Sequence, residues 1–252
     1  MSYFVEKKSI LRQIWGKSDT VLFIFAGAAA EFALNKAVDW LYFTGRLPAD
    51  PLGRLFSTVS YARRIIFAEY DEATRTIDAI ASIHKGVEKN RGATIPDWAY
   101  RDVLFMLIYY SIASYEVLER KLSPLEKDEV YDVFLRFGNR MGLKGLPPNY
   151  DQWLIVREHD LDNDLVKSKY SKDLYRQYKK HLGNFRYSVL LEGQIIIVPS
   201  KVRELLGFRK FSFLSPVLPF YKLSRLLKLD AVIKFFILPA RYKKEIKELD
   251  IT

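Results

Sequence analysis

The sequence has no cysteine and only three histidines in 252 residues. Without cysteine there is no disulfide, no thiolate metal site and no cysteine nucleophile. Three histidines leave little material for a zinc site built from several imidazoles, and the H-E-x-x-H pattern is absent. The G-x-S-x-G elbow, the G-x-x-x-x-G-K-[ST] phosphate loop and the G-x-G-x-x-G motif are absent as well. These absences exclude the common catalytic templates.

Long uninterrupted apolar runs are also missing. The most apolar segment, residues 21–42, carries Glu31, Lys36 and Asp39, and such charges make a membrane-spanning helix costly. We therefore interpret the segment as one buried helix. The first residues include early charges but no clean apolar stretch with a cleavage site, so we expect no signal peptide. We predict a cytoplasmic protein and leave association with a membrane surface open.

Apolar and aromatic residues are abundant. They make up 49% and 15% of the chain, which is enough for a large core, including one built around a bulky apolar ligand. The formal net charge is +10, and the basic excess is concentrated after residue 200. Such an excess fits a mildly basic soluble surface, an anionic membrane surface or an anionic cofactor. Nucleic acid is not an expected partner, because no recognised motif accompanies the charge.

Helix start signals recur along the chain, whereas alternating strand patterns with tight hairpin turns do not. Asp50-Pro51 predicts a capped helix to about Tyr70, and Ser123-Pro124-x-Glu126 combines a cap, a first-turn proline and a capping-box acid. Further helices are predicted to begin at Asp71, Pro96, Tyr150 and Ser171. The one strand-like run, residues 194–198, is interpreted as a helix end because proline follows it.

No linker or domain boundary is evident, so we predict a single all-α domain over residues 1–252. Prolines recur in the last quarter of the chain. Because proline interrupts helices, residues from about 200 to 252 are predicted to form a basic, wrapped tail of short helices.

His84 is the most informative histidine. It lies on a predicted helix whose apolar face carries Ile77 and Ile80, so its imidazole is expected on the buried stripe. A buried imidazole serves either as a metal ligand or as a hydrogen-bonded core residue, and the sequence leaves both open, the second being the commoner. His159 and His181 lie among charged residues and are expected to be exposed.

Arg54 and Thr58 are four residues apart on the helix that directly precedes the one with His84, so they share a helix face. Consecutive helices with a short connection usually pack as antiparallel neighbours, which favours one cavity for all three side chains. A buried Arg needs an anionic partner, such as a phosphate or a carboxylate of a cofactor or of the protein. An Arg54 that faces solvent, or one that pairs with Asp50 one turn earlier, is an equal alternative.

A second polar set lies in the apolar segment. Glu31, Asn35, Asp39 and Tyr42 recur at helical spacing, after a run of small residues at 26–30 that would admit a planar ligand or a neighbouring helix. Glu31 and Asp39 are candidate bases beside a substrate. The alternative is an exposed polar stripe on an amphipathic helix.

Several short motifs, taken in order, resemble a known family. Asp50-Pro51-Leu52-Gly53-Arg54-Leu55-x-x-Thr58, followed by Ile83-His84-Lys85-Gly86-Val87, is similar to the catalytic-domain signature of the rubber oxygenases (latex clearing proteins) and mpaB-type oxygenases. Further stretches agree in order and spacing: Leu122-Ser123-Pro124-x-Glu126, Leu146-Pro147-Pro148-x-Tyr150, Val198-Pro199-x-x-Val202-Arg203-Glu204-Leu205-Leu206-Gly207 and Leu238-Pro239-x-Arg241. The set extends from about residue 25 to 244.

The resemblance implies an all-helical fold with a globin-related core that holds b-type haem. It implies His84 as the iron ligand, with Arg54 and Thr58 in the haem pocket. Characterised members use dioxygen to cleave a carbon–carbon double bond in an isoprenoid chain. The chain departs from the pattern at Asn35-Lys36, where many relatives carry His-Pro, and at Ser57, where rubber oxygenase has a lysine.

The resulting hypothesis is a haem b-dependent oxygenase that acts on a small hydrophobic substrate with dioxygen. Arg54, Thr58, Asp39 and Glu31 are its candidate catalytic groups, and His84 is its candidate metal ligand. Two alternatives stay open. The first is a haem-binding protein without turnover, and the second is a haem-free helical protein that binds lipid or a membrane surface through its basic tail.

Overall fold

The computed structural model describes residues 2–45, 49–226 and 250. Within these residues there are eleven α-helices and one 3₁₀ turn, and the β-type contacts among them are two isolated bridges. The predicted all-α class is therefore confirmed. The motif Leu238-Pro239-x-Arg241 and most of the predicted tail lie outside the described residues.

The helices follow one another with short connections. In chain order they are α1 (Ile10–Trp15), α2 (Ser18–Phe32), α3 (Val38–Phe43), α4 (Pro51–Ile66), α5 (Tyr70–Arg91), α6 (Asp97–Leu118), α7 (Pro124–Arg140), α8 (Tyr150–Asn163), α9 (Lys169–Ile197), α10 (Ser200–Leu206) and α11 (Leu218–Leu226). The 3₁₀ turn covers Ser215–Val217. The start of the tail is thus formed by short helices, as its prolines predict.

Capping side chains explain where several helices begin. The Asp50 carboxylate accepts a hydrogen bond from the Gly53 amide at 2.9 Å and caps α4. Ser123 and Glu126 form the predicted capping box of α7. The start of α9 differs from prediction, because the capping hydroxyl belongs to Ser168 and not to Ser171. This helix also continues past a kink at Gly183, where φ is 72°, and includes the strand-like run up to Ile197.

The prediction of one helix over residues 21–42 is wrong, because the chain turns around Asn35. The Asn35 side-chain oxygen accepts from the Ala37 amide at 2.8 Å, and its amide donates to the Asp102 carboxylate at 2.6 Å. The Leu34 carbonyl accepts a hydrogen bond from Val166 at 2.7 Å in place of a helical partner. These tertiary bonds end α2 before α3 begins, so the predicted polar stripe is interrupted.

Helices α2 and α6 form the centre of the core. A Cβ atom on Gly27 would lie 2.2 Å from the ring of Tyr110, so the absence of a side chain lets the two helices approach closely. Next to this contact, the indole of Trp15 donates to the Ser111 hydroxyl at 3.0 Å. The run of small residues at 26–30 therefore does admit a neighbouring helix. The two helices in contact, α2 and α6, both line the cavity described below.

Candidate functional site

An apolar cavity of about 200 Å³ lies where α2, α3, α4, α5, α6 and α9 meet. Its walls are mostly carbon. The larger apolar contributors are Phe25, Phe32, Trp40, Leu41, Met106 and Leu107. Ala28 and Ala29 from the small-residue run also line it, so the second face of that run borders free space. An apolar cavity with a few polar groups is the usual form of a small-molecule site.

His84, Arg54 and Thr58 all line this cavity. The three side chains come from α4 and α5, the consecutive helices on which the sequence places them. The structure thus brings these three predicted residues together. Tyr100 on α6 and Tyr178 on α9 are the further polar side chains among the described lining residues.

His84 is half-buried on α5. Burial lowers the pKa of its imidazole, and the positive charge of Arg54 lowers it further. The Glu88 carboxylate and the Ile80 carbonyl oppose this shift and favour the charged form. The ring atom Nδ1 is closed off from solvent and has no partner of good hydrogen-bond geometry among the described residues. The net shift favours the neutral imidazole, which is the form that binds metal ions.

Two groups near His84 were missed by sequence reasoning, the Tyr100 ring and the Glu88 carboxylate. The Tyr100 ring packs edge-on against the imidazole, with centroids 5.2 Å apart. The Tyr100 hydroxyl donates to the Glu88 carboxylate at 3.2 Å, and the Ile95 amide donates to the same oxygen at 2.9 Å. Glu88 could have been found, because it lies one turn after His84. Tyr100 could not, because its position depends on how α6 packs.

The Arg54 guanidinium donates to the Ser57 hydroxyl at 3.4 Å. The Thr58 hydroxyl donates to the Arg54 carbonyl at 3.2 Å, one turn earlier on the same helix. The hydrogen of this hydroxyl is thus used within α4, so Thr58 presents an oxygen acceptor to the cavity. Arg54 supplies the positive charge of the site.

Asp39 does not appear among the lining residues. Its carboxylate pairs with the Arg91 guanidinium at 2.6 Å. The same guanidinium stacks over the ring of Trp40 at 3.9 Å, and Trp40 is part of the cavity wall. Asp39 therefore contacts the site through Arg91 and Trp40, and it links the end of α5 to α3.

Glu31 is also absent from the lining. It is completely buried, and its carboxylate accepts hydrogen bonds from Arg157 at 2.5 Å and from the Tyr110 hydroxyl at 2.9 Å. Its second oxygen has no hydrogen-bond partner among the described residues. This buried ion pair connects α2, α6 and α8 within the core.

The other two histidines lie away from the cavity lining. His159 is exposed, as expected, with Nδ1 3.4 Å from Asp160. His181 is partly buried, where the sequence predicts exposure. Neither contributes a ligand to the cavity, which leaves His84 as its imidazole.

A separate acidic cluster went unnoticed in the sequence. One carboxylate oxygen each from Asp102, Asp160 and Asp164 lies within 4.8 Å of the others. Asp102 is only 2% exposed, and burial raises its pKa to about 7 despite the hydrogen bond from Asn35. Residues from α6 and from the end of α8 meet here through tertiary packing, so no local spacing indicates the cluster.

A family model described as "ER-bound oxygenase mpaB/B'/Rubber oxygenase, catalytic domain" matches residues 13–228. The chain belongs to this family. The match includes every residue that lines the cavity, and it confirms the resemblance seen in the ordered motifs. As a member of the mpaB/rubber oxygenase family, the chain is an oxygenase-type catalytic domain, for which dioxygen and a hydrophobic substrate are the implied reactants.

Comparison with curated proteins finds no match, and neither does comparison with solved structures. The globin relation of the core therefore stays a prediction. Among the described helices, none combines the length and apolar character that a bilayer crossing requires.

Proposed function

We propose that this chain is a haem b-dependent oxygenase that uses dioxygen to oxidise a hydrophobic, isoprenoid-type substrate. One observation supports the proposal above all others: His84, whose pKa is lowered by burial and by Arg54, faces an apolar cavity beside the Arg54 guanidinium. Haem b requires a nitrogen ligand for iron, apolar surface around its macrocycle and cations for its carboxylates. The residues of the cavity are of the types that this cofactor needs.

Each residue then has a separate task. When bound, the haem iron supplies the reactivity toward dioxygen that protein side chains lack. His84 would hold the iron, with its ring orientation set by Tyr100. Arg54 would pair with a haem carboxylate or with a polar oxygen in the cavity. Thr58 would accept a hydrogen bond, and the carbon walls would exclude water and bind an apolar chain.

The base roles predicted for Asp39 and Glu31 stay predictions. Asp39 is engaged by Arg91 and Glu31 by Arg157, so either carboxylate would have to exchange its partner before accepting a proton from a substrate. In our proposal Asp39 positions the Trp40 wall through Arg91, and Glu31 holds the helices behind the cavity.

The visible spectrum of the purified chain with haem supplied tests the proposal. We expect a Soret band that is lost or strongly shifted in His84→Ala, because the iron would lose its protein ligand. His159→Ala and His181→Ala are the matched controls, since both histidines lie outside the cavity lining, and their spectra should equal that of the unsubstituted chain. A full, unchanged Soret band in His84→Ala would overturn the assignment.

Turnover needs a second measurement. Oxygen uptake on addition of an isoprenoid alkene, with carbonyl products, is expected of an oxygenase. A haem spectrum without oxygen uptake for any alkene tested would instead indicate a haem-binding protein without turnover. A preparation that stays colourless with haem supplied would support the haem-free alternative.

A further inference from the structure

We propose that residues 209–223 form a docking surface for an anionic lipid bilayer. This segment covers the turn before α11 and most of α11 itself. The proposal is independent of haem and goes beyond the oxygenase function, because it concerns a surface whose residues do not line the cavity.

The segment exposes an unusual amount of apolar surface. Phe211, Phe213 and Phe220 are 80%, 76% and 73% exposed. Val217 and Leu223 are about half exposed, at 48% and 55%. Five large apolar side chains within 13 residues thus face outward in the described structure. Isolated exposed apolar residues are normal in soluble proteins, but five of them in one short segment indicate a binding surface.

Several polar groups of the same segment bind the protein body. The Glu192 carboxylate accepts hydrogen bonds from the Ser212 hydroxyl and the Phe213 amide, each at 2.7 Å, and from Arg209. The Tyr221 hydroxyl donates to Asp19 at 3.2 Å. The polar groups thereby anchor the segment, and the phenylalanine rings are held outward by a formed structure.

Arg225, on the same helix as Phe220, strengthens this anchoring. Its guanidinium donates to the Glu119 carboxylate at 2.5 Å and lies 3.4 Å from the Asp19 carboxylate. Asp19 and Glu192 therefore bind the segment itself, and Asp19 and Glu119 bind Arg225 just after it on the same helix. An amphipathic helix with its apolar side outward is typical of proteins that bind at a membrane interface.

The positive charge of this surface favours an anionic lipid bilayer as its partner. Residues 205–229 contain no Asp or Glu, and their basic residues are Arg209, Lys210, Lys222, Arg225 and Lys228. Among the described residues, Lys210 and Lys222 have no ion-pair partner. Cations next to exposed aromatic rings complement anionic lipid headgroups above an apolar layer. A second copy of the chain would place two basic faces together, which like-charge repulsion disfavours.

Vesicle binding of the full chain tests the proposal. The probes are phosphatidylcholine vesicles with and without phosphatidylserine. We expect co-sedimentation with the anionic vesicles that weakens as salt is added. The double substitution Phe211→Ser/Phe220→Ser should weaken binding by about tenfold or more, because each ring contributes apolar area to the interface. Lys210→Glu/Lys222→Glu should remove the preference for phosphatidylserine.

Leu125→Ser/Ile155→Ser is the matched control, because these residues are 80% and 72% exposed on α7 and α8. It should bind vesicles as the unsubstituted chain does. Equal binding by the Phe211→Ser/Phe220→Ser variant and the unsubstituted chain would overturn the proposal, as would no binding to either vesicle type. A concentration-dependent dimer that only the phenylalanine substitutions abolish would assign the surface to a second copy instead. Unchanged helical circular dichroism shows that each variant is folded.

Discussion

The Tyr100 ring stands edge-on to the imidazole of His84, with ring centroids 5.2 Å apart and planes inclined at 81°. Burial and the Glu88 carboxylate raise the pKa of the Tyr100 hydroxyl above its usual range, so this hydroxyl remains a hydrogen-bond donor. It donates to Glu88, which belongs to the same helix as His84. α5 and α6 therefore share a contact that limits rotation of the imidazole. It consists of two interactions, the Tyr100 ring against His84 and the Tyr100 hydroxyl with Glu88.

Tyr100→Phe keeps the ring and removes the hydroxyl, whereas Tyr100→Ala removes both. We expect Tyr100→Phe to lose about 1 kcal/mol of unfolding free energy, as is usual for one hydrogen bond, and to keep the haem spectrum. Tyr100→Ala should shift or broaden the Soret band and weaken haem binding by about tenfold, because the imidazole can rotate. Urea unfolding and haem titration measure the two effects. Equal haem spectra for both variants would contradict a positioning role for the ring.

Glu31 is expected to matter first for stability. Glu31→Gln removes the negative charge that Arg157 contacts at 2.5 Å and leaves a buried cation without its partner. Breaking one side of such a pair costs about 3–5 kcal/mol. The control is Asp132→Asn, whose partner Arg136 is a surface residue, and it should cost less than about 1 kcal/mol. The midpoint of urea unfolding measures both changes.

A different result would favour the predicted catalytic role of Glu31. If Glu31→Gln kept the unfolding midpoint of the unsubstituted chain but lost oxygen uptake, the carboxylate would act on the reactants and not on the core. A loss of stability with proportionate loss of activity would support the structural role.

Local spacing was sufficient to predict where three side chains lie, whereas their roles stay predictions. Arg54 and Thr58 share a face of α4, and the half-buried His84 on the next helix lines the same cavity. Periodicity and consecutive packing place these three side chains in one cavity, without knowledge of any distant contact.

Sequence reasoning failed where distant residues determine the structure. The turn at Asn35 depends on bonds to Asp102 and to the backbone of residues 164–166, which outweigh the helical pattern of residues 21–42. Likewise, nothing near Asp39 in the sequence indicates that Arg91 would pair with it. Helix propensity is a weak preference that tertiary contacts override.

Alanine substitutions at Gly27 and Gly86 distinguish the effect of helix packing on stability from the effect of helix propensity. Both lie inside helices, but a Cβ atom on Gly27 would lie 2.2 Å from Tyr110, whereas one on Gly86 would meet nothing within 4 Å. Gly86→Ala should stabilise the fold by about 0.5–1 kcal/mol, because alanine favours the helix. Gly27→Ala should destabilise it by about 1–3 kcal/mol, because α2 and α6 must move apart. Thermal unfolding measures both, and a stabilising Gly27→Ala would contradict the close contact.

Asp102 predicts an unusual pH dependence of stability. Its pKa of about 7 in the folded protein lies above the ordinary value of 3.8, so the folded state binds a proton more tightly than the unfolded state does. The contribution of Asp102 to stability is therefore complete below about pH 4 and is lost as the pH rises through about 7. The difference between the two pKa values corresponds to roughly 4 kcal/mol if both states titrate fully.

Asp102→Asn tests this, because an amide resembles the neutral acid and keeps an oxygen for the Asn35 hydrogen bond. The variant should gain stability relative to the unsubstituted chain at about pH 8 and show little difference at about pH 4. His84 affects stability in the opposite direction. Burial lowers its pKa, so its contribution to the free energy of unfolding increases as the pH rises through the ordinary histidine range of about 6.5. Both proteins contain His84, so subtracting their unfolding free energies at each pH isolates Asp102. If the difference in unfolding free energy between Asp102→Asn and the unsubstituted chain stayed constant from about pH 4 to pH 8, Asp102 would already be ionised in the folded protein.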